Sequence, residues 1–192
     1  MKRRKNMTSR KIITPVFRAS FVHVFAPVVN EQSGKEEYSL KMIFDKDADL
    51  SEMKAIINEA IKEKWGNNPP KSLKLPLKDG NAGDLDKYPE DKDKIISRAK
   101  TTIARPGIVD SHVQPIMDPN EVYSGCYMRA TITAYSYEKG SKGVSFGLQN
   151  LMKVKDGEPL TNRATAEDDF KSFAGAESTT GADNSDILGD LV

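Results

Sequence analysis

In the stretch SGCYMRATITAYSYEKGSKGVSFGLQ, Ser124 to Gln149, the residues Tyr127, Arg129, Tyr135 and Tyr137 fall at even spacings. Successive strand side chains alternate between faces. One register therefore puts Tyr127, Arg129, Thr131, Thr133, Tyr135 and Tyr137 on one side, and Cys126, Met128, Ala130, Ile132 and Ala134 on the other. The second set is apolar and small enough to line a core. The first offers flat π faces, hydroxyls and a cation. Unpaired nucleobases stack on such rings at about 1–3 kcal/mol each, and their phosphates take cations. A duplex hides its base faces and would leave the tyrosines unused. Packing under a loop, or against a protein partner, would use the same face differently.

More cations fall at outward positions of other strand candidates. TPVFRASFVHVF, Thr14 to Phe25, is rich in β-branched and aromatic residues. It groups Phe17, Ala19, Phe21, His23 and Phe25 on one face, with Arg18 on the other. YSLKMIFD, Tyr38 to Asp45, groups Tyr38, Leu40, Met42 and Phe44, and turns Lys41 outward. KIISRAKTTIARPG reads as a third strand ending at Pro106-Gly107, with Arg98 and Lys100 outward and Ser97 and Ala99 opposite. Residues 108–122 read as irregular. EKGSKG makes a hairpin from the opening strand to its partner, which groups Val144, Phe146, Leu148, Met152 and Val154, interrupted by Asn150. The candidate nucleic-acid-binding set is thus Arg18, Lys41, Arg98, Lys100, Tyr127, Arg129, Tyr135 and Tyr137.

One helix is expected, over DLSEMKAIINEAIKEKWG. Asp49 and Glu52 have capping-box spacing, with Ser51 a competing cap. Met53, Ile56, Ile57, Ala60, Ile61 and Trp65 form its apolar stripe, and Gly66 with Pro69 and Pro70 stops it. Trp65 ends that stripe, so it reads as packing rather than as a base-stacking ring. Residues 67–94 read as a loop whose first half is basic through Lys71, Lys74 and Lys78. Asp79, Asn81, Asp84 and Asp86 there only faintly resemble a calcium loop and lack its closing glutamate.

The 192 residues carry a net charge of only +1, but the ends differ. Lys2, Arg3, Arg4, Lys5, Arg10 and Lys11 make the first twelve residues +6; seven acids against Lys171 make residues 164–192 −6. Such asymmetry points to nucleic-acid contact or tail-mediated partnering. The expected organisation is a basic flexible arm over 1–13, a domain over 14–163 and an acidic disordered tail over 164–192. Cys126, the single cysteine, excludes an intramolecular disulfide and falls on the core face. No apolar run is long enough to span a membrane, and the basic start lacks a signal peptide's apolar region. There is no P-loop, dinucleotide fingerprint, nucleophile elbow or HExxH. Two histidines and one cysteine disfavour a zinc site. Neither enzymatic activity, nor a cofactor, nor a metal is expected.

From Ile13 to Arg163 the chain resembles the replicative single-stranded DNA-binding proteins of bacteriophages, which are built on an OB-fold. The resemblance is carried by TPVFRASFVHVFAP, LPLKDG, RPGIVD with VQPI and DPNEVYSGCYMRATITAYSY, and GVSFGLQN with KVKDGEPL. It implies a five-stranded OB-type barrel with one flanking α-helix. It implies a protein that coats and protects single strands without strong sequence preference, in the host cytoplasm, during replication and recombination. It further implies an acidic tail that recruits a polymerase or helicase and competes with DNA, and a possible homodimer. A β-barrel adaptor and an RNA-binding OB protein remain the alternatives. Two departures stand out. An OB-fold carries its helix after the third strand, whereas the helix here follows only two, so that either the first strand counts twice or one strand is missed. The tail of several relatives closes on an aromatic residue, whereas this one ends Leu191-Val192, with Phe170 and Phe173 further back.

Overall fold

The structure is a computed structural model and describes residues 10–31, 33–160 and 170–171. The chain divides into Met1–Leu160 and Thr161–Val192. Of the second unit, Phe170 and Lys171 are described. Most of the basic arm and of the acidic tail lies outside the described residues.

The elements run β1 (Ile12–Ile13), β2 (Phe17–Val29), β3 (Glu36–Asp45), α1 (Ser51–Trp65), β4 (Lys78–Asp79), β5 (Lys94–Thr101), β6 (Gly107–Val109), β7 (Tyr127–Tyr137) and β8 (Gly143–Lys155). Five of them close a ring in the order β2–β3–β5–β8–β7 and back to β2. Only the β5–β8 pairing within that ring is parallel. The helix stands in the second connection of the ring, between β3 and β5. Neither a doubled first strand nor a missed one is needed to place it: the five ring strands are complete, and the helix occupies an earlier connection.

Phe17, Leu40, Met42, Phe44, Met128, Ile132 and Phe146 fill the barrel, each under 2% exposed. Burying side chains of this size contributes about 1.5–3 kcal/mol apiece. Phe17 and Phe44 meet edge to face with centroids 5.6 Å apart. The helix adds Met53, Ile56, Ile57 and Ala60 to the same core, and Ser136 Oγ on β7 donates to the Ala60 carbonyl at 2.8 Å. Trp65 packs against the core's edge, and its Nε1 donates to Glu138 at 3.0 Å. The alternation in β7 holds, with Met128, Ala130, Ile132 and Ala134 all buried and Cys126 beneath them.

Register shifts reset the other alternations. In β2 the register slips between Ser20, opposite Lys41, and His23, opposite Ser39. Phe21 and Val22 thus share the place of one residue, Phe21 turns outward at 47% exposure, and Val24 becomes the buried residue. The expected face Phe17, Ala19, Phe21, His23, Phe25 therefore breaks after Ala19. In β8 the slip falls opposite Thr131 and Ile132. Leu151 takes the inward place expected of Met152, leaving Met152 and Val154 half-buried.

The capping box does not form. Asp49 Oδ1 accepts from Ser51 N at 3.0 Å, too early to cap the helix, and the N-cap is Leu50. Glu52 instead pairs with Arg10 at 2.6 Å. Arg10 also reaches Glu59, and Ile12–Ile13 pairs with Ile132 and Thr131 of β7. The end of the presumed flexible arm is thus part of the barrel wall. The third strand stops at Thr101 rather than at Pro106. The segment read as irregular opens with the end of β6, which runs parallel to β8. Among the described residues, no helix is long and apolar enough to cross a membrane.

Candidate nucleic-acid interface

The outer face of β3 and β5 is set by their register. Lys41 stands opposite Arg98, and Ser39 opposite Lys100, while Leu40, Met42 and Ala99 point into the core. Glu37 lies on the same outer face of β3 yet its side chain is only 2% exposed. Its carboxylate accepts from Arg98 Nη2 at 3.0 Å, Lys100 Nζ at 2.8 Å and Asn30 Nδ2 at 3.1 Å. Burial pushes this carboxyl's pKa up. The Lys100 and Asn30 hydrogen bonds, with the charges of Lys100 and Arg98, outweigh it and hold the group below its ordinary value. Glu37 thereby fixes two cations side by side. Arg98 keeps its outer edge in solvent, with 57% of its side chain exposed.

Lys41 is held in a similar way. Its ammonium lies 2.6 Å from Asp91, whose side chain is 4% exposed, and its hydrogen bond goes to Oδ2. Oδ1, also buried, lies 2.6 Å from the same ammonium without hydrogen-bond geometry. The same ammonium sits 4.8 Å from the Tyr88 ring centroid and 5.7 Å from that of Phe21.

The region read as a long loop covers part of this face. Lys78–Asp79 pairs with Ile96 and Ile95 of β5, Ser97 Oγ donates to the Pro76 carbonyl, and Lys74 bridges to Gly143 of β8. Asp79 and Asp84, from the faint calcium-loop pattern, accept from the backbone N–H groups of Asn81 and Lys87 and so shape turns. Among the described residues, no cluster of three or more His, Cys, Asp or Glu could hold a metal. Between this segment and the barrel wall lies a groove of about 600 Å³, lined among others by Phe21, Lys41, Lys74, Lys78, Tyr88, Arg98 and Tyr137.

Of the eight residues singled out from sequence, Lys41, Arg98 and Tyr137 line the groove, and Lys100 adjoins it through Glu37. Tyr135 stands opposite Ser145, and Thr133 opposite Gly147, which itself pairs with Lys100. Small β8 residues thus connect the cations of β5 to the tyrosine end of β7. A Cβ on Gly147 would lie 2.9 Å from Thr133 Oγ1, so the absent side chain keeps that passage low.

The other three lie elsewhere. Arg18 donates to the carbonyls of Glu158 at 2.6 Å and Gly125 at 3.4 Å. Tyr127, opposite Arg18, carries Lys155 4.7 Å over its ring and packs on Gly157. Arg129 faces Met152, and its Nη1 lies 3.4 Å from the Thr14 carbonyl. Sequence reasoning missed Phe21 and Tyr88. The only local signal was the basic character of Lys74 and Lys78 near them.

A closed five-stranded ring with an outer groove of interleaved cations and aromatic rings defines an OB-type barrel, the architecture whose second and third strands and adjoining loops hold oligonucleotides. Comparison with known proteins sharpens this. The family described as Enterobacter phage Enc34, ssDNA-binding protein, matches residues 10–183, and the chain belongs to that family. The single-stranded DNA-binding protein from bacteriophage Enc34, in complex with ssDNA, is 27% identical and superposes with a TM-score of 0.66 over 79% of this chain and 89% of that one. A putative protein p50 of Acyrthosiphon pisum secondary endosymbiont phage 1 is 27% identical over 83% of this chain and 92% of its own length. The gp2.5 single-stranded DNA-binding protein of bacteriophage T7 is 14% identical, with a TM-score of 0.60 over 91% of this chain and 99% of that one, and shares the fold.

Proposed function

We propose that this chain binds single-stranded DNA along the outer β3–β5 groove, without strong sequence preference and without catalysis. The observation that carries the reading is the groove itself, where Lys41 and Arg98 alternate with Phe21, Tyr88 and Tyr137. Membership of an ssDNA-binding family supports it. Cations meet phosphates and rings meet bases, so affinity comes from two sources with different responses to salt. Of the residues named from sequence, Lys41, Arg98, Lys100, Tyr135 and Tyr137 take the strand. Arg18, Tyr127 and Arg129 serve mainly the barrel's own contacts.

The reading extends to strand protection during phage replication and recombination in the host cytoplasm. A polymerase or helicase docks on the acidic segment 164–192, and the chain forms a homodimer. With a charge of −6, that segment competes with DNA for the groove. Deleting residues 174–192 tightens ssDNA binding at low salt; unchanged affinity contradicts the competition. The basic residues before Ile12 add non-specific attraction.

The test is fluorescence polarisation of a labelled oligo-dT across a salt series, with duplex and RNA competitors. The expected result is binding that weakens with salt at about 0.7 log units per log unit for each phosphate contacted, and that duplex barely displaces. Absence of binding at low salt, with and without the acidic segment, contradicts the proposal and favours a protein-binding adaptor. Equal displacement by RNA favours a general single-strand binder.

A further inference from the structure

Phe21 has a backbone conformation that its residue type avoids. Its φ is +48°, in the left-handed region, and it occupies the bulge that breaks the β2 register. Burial does not offset the strain, because the ring is nearly half exposed. The bulge aims it at Tyr88, which it meets edge to face at 5.5 Å. Lys41 lies against both rings, and Lys74, Lys78 and Arg98 share the groove. A strained residue that spends its strain exposing an apolar ring is a sign of function rather than of packing.

We infer that Phe21 and Tyr88 form a stacking ledge for one unstacked nucleobase, with the adjoining phosphates on Arg98 and the lysines across the groove. The inference rests on the ssDNA reading above and adds a base-contacting pair to it. The exposed Phe21 ring, with Lys41 and Lys87 over its neighbour Tyr88, fits a base with phosphates on both sides. An apolar peptide would offer no anion to the edge of Arg98 that Glu37 leaves in solvent, nor to Lys74 and Lys78. Lys41 is kept in place by the buried Asp91, so the charge beneath the rings is present before the strand arrives.

The experiment compares oligo-dT with a fully abasic strand of equal length, in the full chain and in F21L, Y88L and F21G. Loss of one stacked base lowers oligo-dT affinity by about 5- to 150-fold. Both leucine variants should show that loss and bind the abasic strand like the parent. Phe21→Gly separates function from structure. Glycine tolerates φ +48°, so this variant should unfold at the same or higher denaturant while losing oligo-dT affinity. Folded leucine variants with parental oligo-dT affinity would overturn the ledge, as would equal losses on both strands. Should F21L misfold, Y88L alone carries the comparison, since Tyr88 lies outside the barrel strands. A parent chain that binds neither strand overturns the ssDNA reading itself.

Discussion

Replacing Glu37 with glutamine keeps the shape of a buried side chain and removes its charge. Three donors converge on the carboxylate, Arg98 on Oε1 and both Lys100 and Asn30 on Oε2. Whichever way the glutamine amide turns, its NH₂ faces a donor. Hydrogen bonds to a charged group contribute about 1.5–3 kcal/mol each. The Arg98 and Lys100 side chains are 57% and 33% exposed, so water and screening remove much of that. A net loss of about 1–2 kcal/mol remains, or roughly 2–8 °C in Tm for a chain of this size. The pH dependence is the sharper readout. The carboxyl titrates below its ordinary value of 4.5 in the folded chain. Its contribution is therefore fully present above the unfolded value and is lost as pH falls through the folded one. Urea unfolding from neutral pH down to about pH 3 should show a gap between parent and E37Q that closes on acidification below 4.5. Equal stability at pH 7, or a gap that acid leaves unchanged, refutes the network as the anchor of these two cations.

Lys41→Met should cost more stability than Arg98→Met, by about 3–5 kcal/mol against under 1, because only the first leaves a buried carboxylate, Asp91, without its cation; denaturant midpoints decide it. Gly125→Ala should destabilise by more than about 2 kcal/mol, since φ is +121° and a Cβ would lie 2.2 Å from the Glu158 carbonyl; parental thermal stability contradicts that closure. Tyr137→Ala should weaken oligo-dT binding by about 1–3 kcal/mol. Tyr127→Ala should lower Tm instead and leave binding intact, and binding isotherms beside melting curves separate the two.

The closed barrel was legible because β7 alternates without interruption, and its small apolar residues admit only one inward face. Cations at Lys41, Arg98 and Lys100 were legible for the same reason, since β3 and β5 pair with each other without a register shift. What the cations hold was not. Glu37 meets Arg98 and Lys100 through a pairing of strands some sixty residues apart, and no local pattern reports that. The outward turn of Phe21 was equally hidden. A one-residue bulge inverts every later position, and ASFVHVF contains no glycine or proline to mark it. Arg18 and Tyr127 have the right types in the right alternation, but the 156–158 segment folds back onto them. The loop over 67–94 looked like spacer because its structure is an edge pairing on β5 and a cover for the groove, both long-range. The helix position followed from sequence, and the ring order explains why it costs the fold nothing: its connection lies outside the pairings that close the barrel.

The central claim is that a single strand lies in the β3–β5 groove. Photo-crosslinking of oligonucleotides that carry 5-iodouracil at each position in turn, followed by peptide mapping, tests it most directly. The expected products join the strand to Tyr88, Tyr137 or Phe21 on peptides spanning the groove. Crosslinks confined to Tyr123 and Tyr127, beside the 156–158 segment, would contradict it and move the binding surface to the other end of β7.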